Sequence, residues 1–293
     1  MMPTPICPLC QTACHDKRFT ERQHDLLVCH DCGLLFIHPY PEDVAHRQEA
    51  VREYDFAEYS AVTAATHYRS EVIFYQGYYP LIAAECAQAR SFLDVGCGTG
   101  HLLELLGETY PQLHREGIEL NRGRAAVARQ HADCTIHEVP VESFRSKRSY
   151  DVITLINVLS HIPSFDRLFT ALQGLLSPQG KLIIKIGEVS AQAEKNDLFD
   201  WGMPDHLHFC GFNTMEYLCQ RYDFRIATHQ RVPYSLEFFA PTRWRSPGTN
   251  AVRNVAKTLV SSLPFVLPAL AKLYDMKHGG KIFSSFIVLT RQP

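Results

Sequence analysis

The run Phe92-Leu93-Asp94-Val95-Gly96-Cys97-Gly98-Thr99-Gly100 narrows the possible folds more sharply than anything else in the 293 residues. An apolar stretch passes into three glycines at alternate positions, and a helix is predicted from His101. A backbone that turns sharply and lets a ligand approach cannot carry Cβ atoms at such points, which is why glycines cluster there. The spacing is G-x-G-x-G, whereas dinucleotide-binding turns read G-x-G-x-x-G. Asp94, two residues before the first glycine, would repel a pyrophosphate but can pair with an ammonium group. The turn therefore suits a nucleotide that carries positive charge. A second acid, Glu119, lies 19 residues after Gly100 in Gly117-Ile118-Glu119-Leu120-Asn121, at the end of the next predicted strand. An acid in that place can accept hydrogen bonds from both ribose hydroxyls.

From Ser91 onward, short β-branched runs alternate with helical stretches, the signature of βα units and a parallel sheet. The spacing predicts strands over Ser91–Val95, His114–Glu119, Cys134–Val139, Tyr150–Ile156, Lys181–Gly187, Phe224–Val232 and Phe283–Thr290. It predicts helices over His101–Thr109, Arg122–Ala132 and Phe165–Leu176, with another near Asn213–Arg221. Val62–Ala89 reads as helical with a break near Gly77–Pro80. An apolar fraction of 46% supports a sizeable core. The Met1–Cys10 opening has no basic segment followed by an apolar one, so no secretory leader is expected. Thr258–Ala271 is too short, and too interrupted by Pro264 and Pro268, for a membrane span.

Four of the ten cysteines form two C-x-x-C pairs, Cys7/Cys10 and Cys29/Cys32, with 18 residues between them. Two chelating turns joined by a hairpin give a tetrahedral four-cysteine zinc site, and this spacing is the expected one. Gly33 permits the unusual backbone of the second turn. Cys14, His15 and His30 are alternative ligands, but the two pairs form the simpler set. Four protein ligands leave no open position, so the zinc is expected to be structural. The other cysteines are scattered, which fits a reducing, cytoplasmic compartment. Residues 1–50 hold four Lys or Arg against seven Asp or Glu, a net of −3, and the whole chain carries −2. Phosphate-reading modules are basic, so nucleic acid is disfavoured as a partner. The region 241–293 has eight Lys or Arg and one Asp, suited to an anionic surface, a peripheral membrane contact or substrate phosphates.

Residues 91–187 resemble class I S-adenosylmethionine-dependent methyltransferases of the ubiquinone-biosynthesis-like type. The matching blocks are Leu93–Gly100, Gly117-Ile118-Glu119, Tyr150-Asp151-Val152-Ile153-Thr154, Asn157-Val158-Leu159-Ser160-His161-Ile162 and Leu175-Leu176-Ser177-Pro178-Gln179-Gly180-Lys181-Leu182. The resemblance implies an α/β fold with a seven-stranded, mostly parallel Rossmann-like sheet, preceded by a small zinc ribbon. It implies S-adenosylmethionine as cofactor, bound by Asp94, Gly96, Cys97, Gly98, Gly100, Glu119, Leu120, Val141 and Asn157. The glycine turn would hold the methionine moiety, Glu119 the ribose and Val139–Glu142 the edge of the adenine. Ser160 departs from the pattern, since relatives often carry Glu there. The segment Leu27–Leu34 is similar to the ribbons of methyltransferases from sugar and secondary-metabolite pathways. The domain organisation expected is a ribbon over 1–41, a helical linker or cap over 42–90 and a methyltransferase domain over 91–293, with a basic helical insertion at about 241–280.

Transfer of a methyl group is an in-line displacement that often requires a proton to leave the acceptor. Histidine is the usual base near neutral pH. Among fifteen histidines, position singles out His161, after the fourth strand of the core, and His206 and His208 in Pro204-Asp205-His206-Leu207-His208-Phe209. By resemblance to the acidic-His block of zinc-ribbon sugar C-methyltransferases, His206 is the expected base and Asp205 its orienting partner. The tyrosines and phenylalanines between Tyr54 and Tyr79 are expected mostly in the core. The expected function is methylation of a small molecule such as a sugar, a phenol or quinone-like compound, or a natural-product intermediate. The alternative is an RNA or protein methyltransferase that uses the ribbon for recognition.

Overall fold

The computed structural model describes residues 4–21, 23–40, 61–187, 203–233, 269, 272, 273, 276 and 283–292. The basic stretch 241–280, apart from four of these residues, and the aromatics Tyr54, Phe56 and Tyr59 lie outside the described residues. Two compact units are distinguished: one of Met1–Gln48, Val141–Gln230 and Ser285–Pro293, the other of Glu49–Pro140 and Arg231–Ser284.

In chain order the strands are β1 (Asp16–Glu21), β2 (His24–Val28), β3 (Leu35–His38), β4 (Ser91–Val95), β5 (His114–Ile118), β6 (Thr135–His137), β7 (Tyr150–Ile156), β8 (Leu176–Gly187), β9 (His208–Phe209), β10 (Phe224–Pro233) and β11 (Phe283–Arg291). The helices are α1 (Ala61–Cys86), α2 (His101–Thr109), α3 (Arg122–His131), α4 (Phe165–Leu175) and α5 (Phe212–Arg221). Seven strands form one sheet in the order β10-β11-β8-β7-β4-β5-β6. The pairs β4–β5, β5–β6 and β7–β8 are parallel, as expected when helices connect successive strands. Strand β7 is buried along almost its whole length because a parallel sheet is covered on both faces. The expected α/β fold is thus observed, with predicted and observed boundaries agreeing to within one residue for β4, β5, β7, α2, α3, α4 and α5.

Three local readings are corrected. Helix α1 does not break at Gly77–Pro80 but runs through Pro80. Tyr75, Tyr78, Ile82 and Cys86 form a buried stripe at helical spacing, while Pro80 is exposed. The carbonyl that proline deprives of a donor is that of exposed Gln76, and packing of the opposite face outweighs the loss. Strand β6 keeps only three of the six residues expected over Cys134–Val139. Strand β8 begins at Leu176, ahead of the expected Lys181. Its register jumps from Tyr150↔Leu176 to Val152↔Lys181, so Ser177–Gly180 bulge out of the pairing. A Cβ on Gly180 would sit 2.9 Å from the Tyr150 carbonyl oxygen, which explains the glycine.

The N-terminal strands form a second sheet in the order β1-β2-β3-β9. Strand β9 comes from far along the chain and pairs antiparallel with β3 through Leu35↔Phe209 and Phe36↔His208. Leu26, Val28, Leu35 and Ile37 share a core with Met203, Leu207 and Phe209. No described helix is long and apolar enough to cross a membrane.

Candidate functional site

Strand β4 ends in the glycine turn, where Gly96, Gly98 and Gly100 all have positive φ, at 75°, 59° and 86°. Side chains rarely adopt that region, so the sequence requirement is conformational. At Gly100 it is also steric, because a Cβ would lie 3.0 Å from Ala128 of α3. Gly117 is crowded as well, with Cys97 Sγ 2.7 Å from where a Cβ would stand.

The carboxylates converge on this turn. Asp94 is buried, with 1% exposure, at the end of β4. Glu119 is buried where β5 ends and accepts the Gly98 amide at 2.9 Å through Oε2 and the Asn121 amide at 2.8 Å through Oε1. A carboxylate oxygen can accept more than one hydrogen bond, so these backbone amides do not by themselves exhaust its capacity. Asn121 in turn caps α3 by accepting from the Arg124 amide. A third acid, Glu71 of α1, was not anticipated. Its carboxylate accepts the Thr99 amide at 2.7 Å and the His101 amide at 3.4 Å. A Cβ at Gly98 would collide with it. Burial pushes the Glu71 carboxyl up to about 7, while hydrogen bonds from Thr99 and His101 and the charge of Arg124 pull it down. Cys97 is buried and its thiol is raised well above the ordinary value by burial, then by Asp94, Glu119 and Glu71. Nothing in the sequence singles out Glu71, because its partners are backbone amides about thirty residues away. Leu120 is half-buried here.

The other unit holds the remaining candidates. Val141 is buried. Asn157 follows β7 at φ 59°, a conformation asparagine tolerates, and its Oδ1 accepts a 2.6 Å hydrogen bond from Lys185 Nζ. Lys185 is 1% exposed near the C-terminal end of β8, inside the apolar run Leu182–Ile186, and a lysine inside such a run is the signal that sequence reasoning passed over. His161 closes a short 3-10 turn, Leu159–His161. Its Nδ1 lies 3.3 Å from the Asp205 carbonyl oxygen and 3.6 Å from the Asp205 carboxylate. His206 meets His161 edge-on at 4.6 Å between ring centres. The ligating atoms of His161, Asp205 and His206 all lie within 4.8 Å of one another. The structure therefore brings together the three residues expected to handle a proton, with His161 beside the Asp205 carboxylate. The Leu207 amide donates to the Ser160 carbonyl at 2.9 Å and ties the two segments. His208 is fully buried, donates from Nε2 to the Ile162 carbonyl and packs on Phe165. Burial lowers its pKa to about 4, so it is neutral and structural.

The four paired cysteines also meet. Their Sγ atoms lie within 4.8 Å of one another, with Cys7–Cys32 at 3.6 Å and Cys10–Cys29 at 3.3 Å. A Zn–S bond of about 2.3 Å implies S–S edges of about 3.8 Å, so the donor set fits a tetrahedral ion. Both chelating turns place a left-handed residue directly after the second cysteine, Gln11 at φ 65° and Gly33 at φ 72°. Cys14 instead donates to the Thr12 carbonyl, and His30 pairs with Asp16 at 2.9 Å. The sheet that carries this cluster continues into β9, so the cluster and the Asp205–His206 segment belong to one packed assembly.

Residues 66–229 match a family model described as a methyltransferase domain. Trans-aconitate 2-methyltransferase of Escherichia fergusonii is 33% identical over 94 residues, 32% of this chain and 37% of that protein. The enzyme of the same description from Escherichia coli strain 55989 is 31% identical over the same shares. The matched segment thus spans little more than a third of the length of these curated relatives. Among solved structures, phosphoethanolamine N-methyltransferase 2 of Haemonchus contortus in complex with S-adenosyl-L-methionine superposes with a TM-score of 0.61 at 17% identity. That match covers 88% of this chain and 63% of the other. A [4+2]-cyclase, SpnF, gives 0.51 at 16% identity over 74% and 82%. At these identities the structural likeness establishes the fold.

Proposed function

Because the chain belongs to the methyltransferase-domain family, we propose that it transfers a methyl group from S-adenosylmethionine to a small-molecule acceptor. The observation that carries this reading is the acidic glycine turn. Gly98 and Gly100 hold left-handed backbone beside Asp94, Glu71 and Glu119, an acceptor set suited to a cationic nucleoside and repellent to a pyrophosphate. In this proposal Gly96–Gly100 cradle the methionine moiety, Asp94 favours its positive charge and Glu119 accepts the ribose hydroxyls. Leu120, Val141 and Asn157 are further cofactor-binding candidates by resemblance to the ubiquinone-biosynthesis-like type. When bound, the cofactor supplies an electrophilic methyl group on a sulfonium.

His206 is the proposed base, with Asp205 and His161 adjusting its charge and orientation. Cys7, Cys10, Cys29 and Cys32 are proposed to hold one structural zinc ion, and the proposed organisation is that of a cytoplasmic enzyme with an N-terminal ribbon over 1–41. The net charge of −3 over residues 1–50 favours small acceptors over RNA.

Calorimetry should detect micromolar binding of S-adenosylmethionine and none of NAD. Labelled cofactor incubated with a panel of sugars, phenols and carboxylic acids should give a labelled small product. Binding of NAD with no binding of S-adenosylmethionine would refute the reading. Label appearing in RNA or protein alone would move the acceptor to the macromolecular class.

A further inference from the structure

The glycine turn carries one more acid than a nucleoside needs. Glu119 receives the amide of Gly98 and Glu71 receives the amide of Thr99, the very next residue. Two consecutive amides thus hold carboxylates from two different elements on the same turn. Glu71 also lies against Gly98, where any side chain would displace it. The site reads as a concentration of negative charge held by backbone amides, and a cation that enters such a cluster stabilises it further.

We propose that Glu71 makes this pocket selective for charge, favouring the sulfonium cofactor over the uncharged thioether that remains after methyl transfer. The inference rests on the cofactor reading given above. S-adenosylmethionine and its demethylated product share a ribose, an adenine, an ammonium and a carboxylate, and differ by the methyl group and one positive charge. Contacts made by Glu119 to the ribose treat the two alike. A carboxylate that faces the methionine moiety does not, because it loses a Coulombic partner when the methyl group leaves. The product is then released more readily, which suits an enzyme that must exchange it each turnover.

Glu71 is also placed to couple this selectivity to pH. The groups that interact with it are Tyr68 and Tyr75 on its own helix, Cys97 in the turn, Thr99 and His101 through their amides, and Arg124 on α3, while Asp94 on β4 and Glu119 after β5 act with it on Cys97 and Glu104 of α2 acts with it on Tyr68. Burial holds its carboxyl up to about 7, with Arg124 the opposing charge. Below that value the protonated acid offers no charge to the sulfonium. Above it, the carboxylate does.

The test is calorimetry on the full-length protein with S-adenosylmethionine and, separately, S-adenosylhomocysteine at pH 6 and pH 8, in wild type and in E71Q. If binding requires the ionised acid, the competent fraction rises about tenfold between these pH values, and affinity for the sulfonium ligand rises with it. Affinity for the thioether should change less. In E71Q, where the amide keeps an acceptor for Thr99 without charge, both dependences should flatten. E71A should show the same flattening, with a thermal melt to verify that it is folded. The proposal is overturned if the sulfonium dependence survives in E71Q, if the thioether follows pH as steeply, or if E71Q binds S-adenosylmethionine more tightly. No binding by wild type at either pH would overturn the cofactor reading itself and this inference with it.

Discussion

Replacing Glu119 with alanine tests the placement of the cofactor most directly, because one side chain braces the turn and is the proposed acceptor for the ribose. Its two oxygens accept from the amides of Gly98 and Asn121 at 2.9 and 2.8 Å. Hydrogen bonds to a charged acceptor contribute about 1.5–3 kcal/mol each, and the lower end applies where water can enter the space that alanine leaves. Glu119→Ala should therefore cost about 3 kcal/mol of unfolding free energy, two bonds at the lower end, read by urea denaturation. The ribose adds a separate loss. Two hydroxyls that share one carboxylate are worth about 1.5–3 kcal/mol together, or roughly 10- to 150-fold in Kd for S-adenosylmethionine. Calorimetry at a temperature where both proteins are fully folded separates the two effects. Glu119→Gln keeps one acceptor oxygen and should fall between wild type and alanine in affinity. If Glu119→Ala unfolds more easily yet binds the cofactor with the wild-type Kd, the acid only braces the turn and the ribose lies elsewhere.

Elemental analysis should find about one zinc per chain, with loss of the ion in Cys29→Ser. Because β3 pairs with β9 and shares a core with Met203 and Leu207, removing zinc should lower turnover while leaving cofactor Kd unchanged; equal loss of both would argue against a local effect on the Asp205–His206 segment. His206→Ala should reduce turnover on the true acceptor by about 10²–10⁴-fold with little change in cofactor affinity, and near-normal turnover would place the base elsewhere. His208 is depressed from 6.5 to about 4 in the fold, so the unfolded chain binds a proton first as pH falls. Stability from this group is complete above about 6.5, declines as pH falls toward 4, and amounts to about 3 kcal/mol over that window. Urea midpoints at pH 7.5 and 5 should show the decline in wild type and a shallower one in His208→Phe; identical slopes would assign the acid sensitivity to other groups.

The alternation of short apolar strands with amphipathic helices was legible along the chain because it is local. Continuous apolar runs in strands covered on both faces and period-3.6 burial in helices are set within each element, and the αL glycines follow from steric exclusion at single residues. The same holds for the two C-x-x-C turns, where chelation needs a fixed short spacing whatever the rest of the chain does. The sequence was silent where a contact joins residues that no pattern relates. Glu71 is an ordinary acid in a helix until folding lays it on the amides of Thr99 and His101. Lys185 is a lone charge in an apolar strand until Asn157 meets it, and the uninterrupted helix through Pro80 depends on a buried stripe that compensates for a missing hydrogen bond. Strand β9 is two residues long and has no propensity signal of its own. It exists because β3 offers an open edge and the shared core holds it there. Propensity and spacing act over a few residues, whereas these features are stabilised by partners 28 to 174 positions away, whose approach depends on how the whole chain packs.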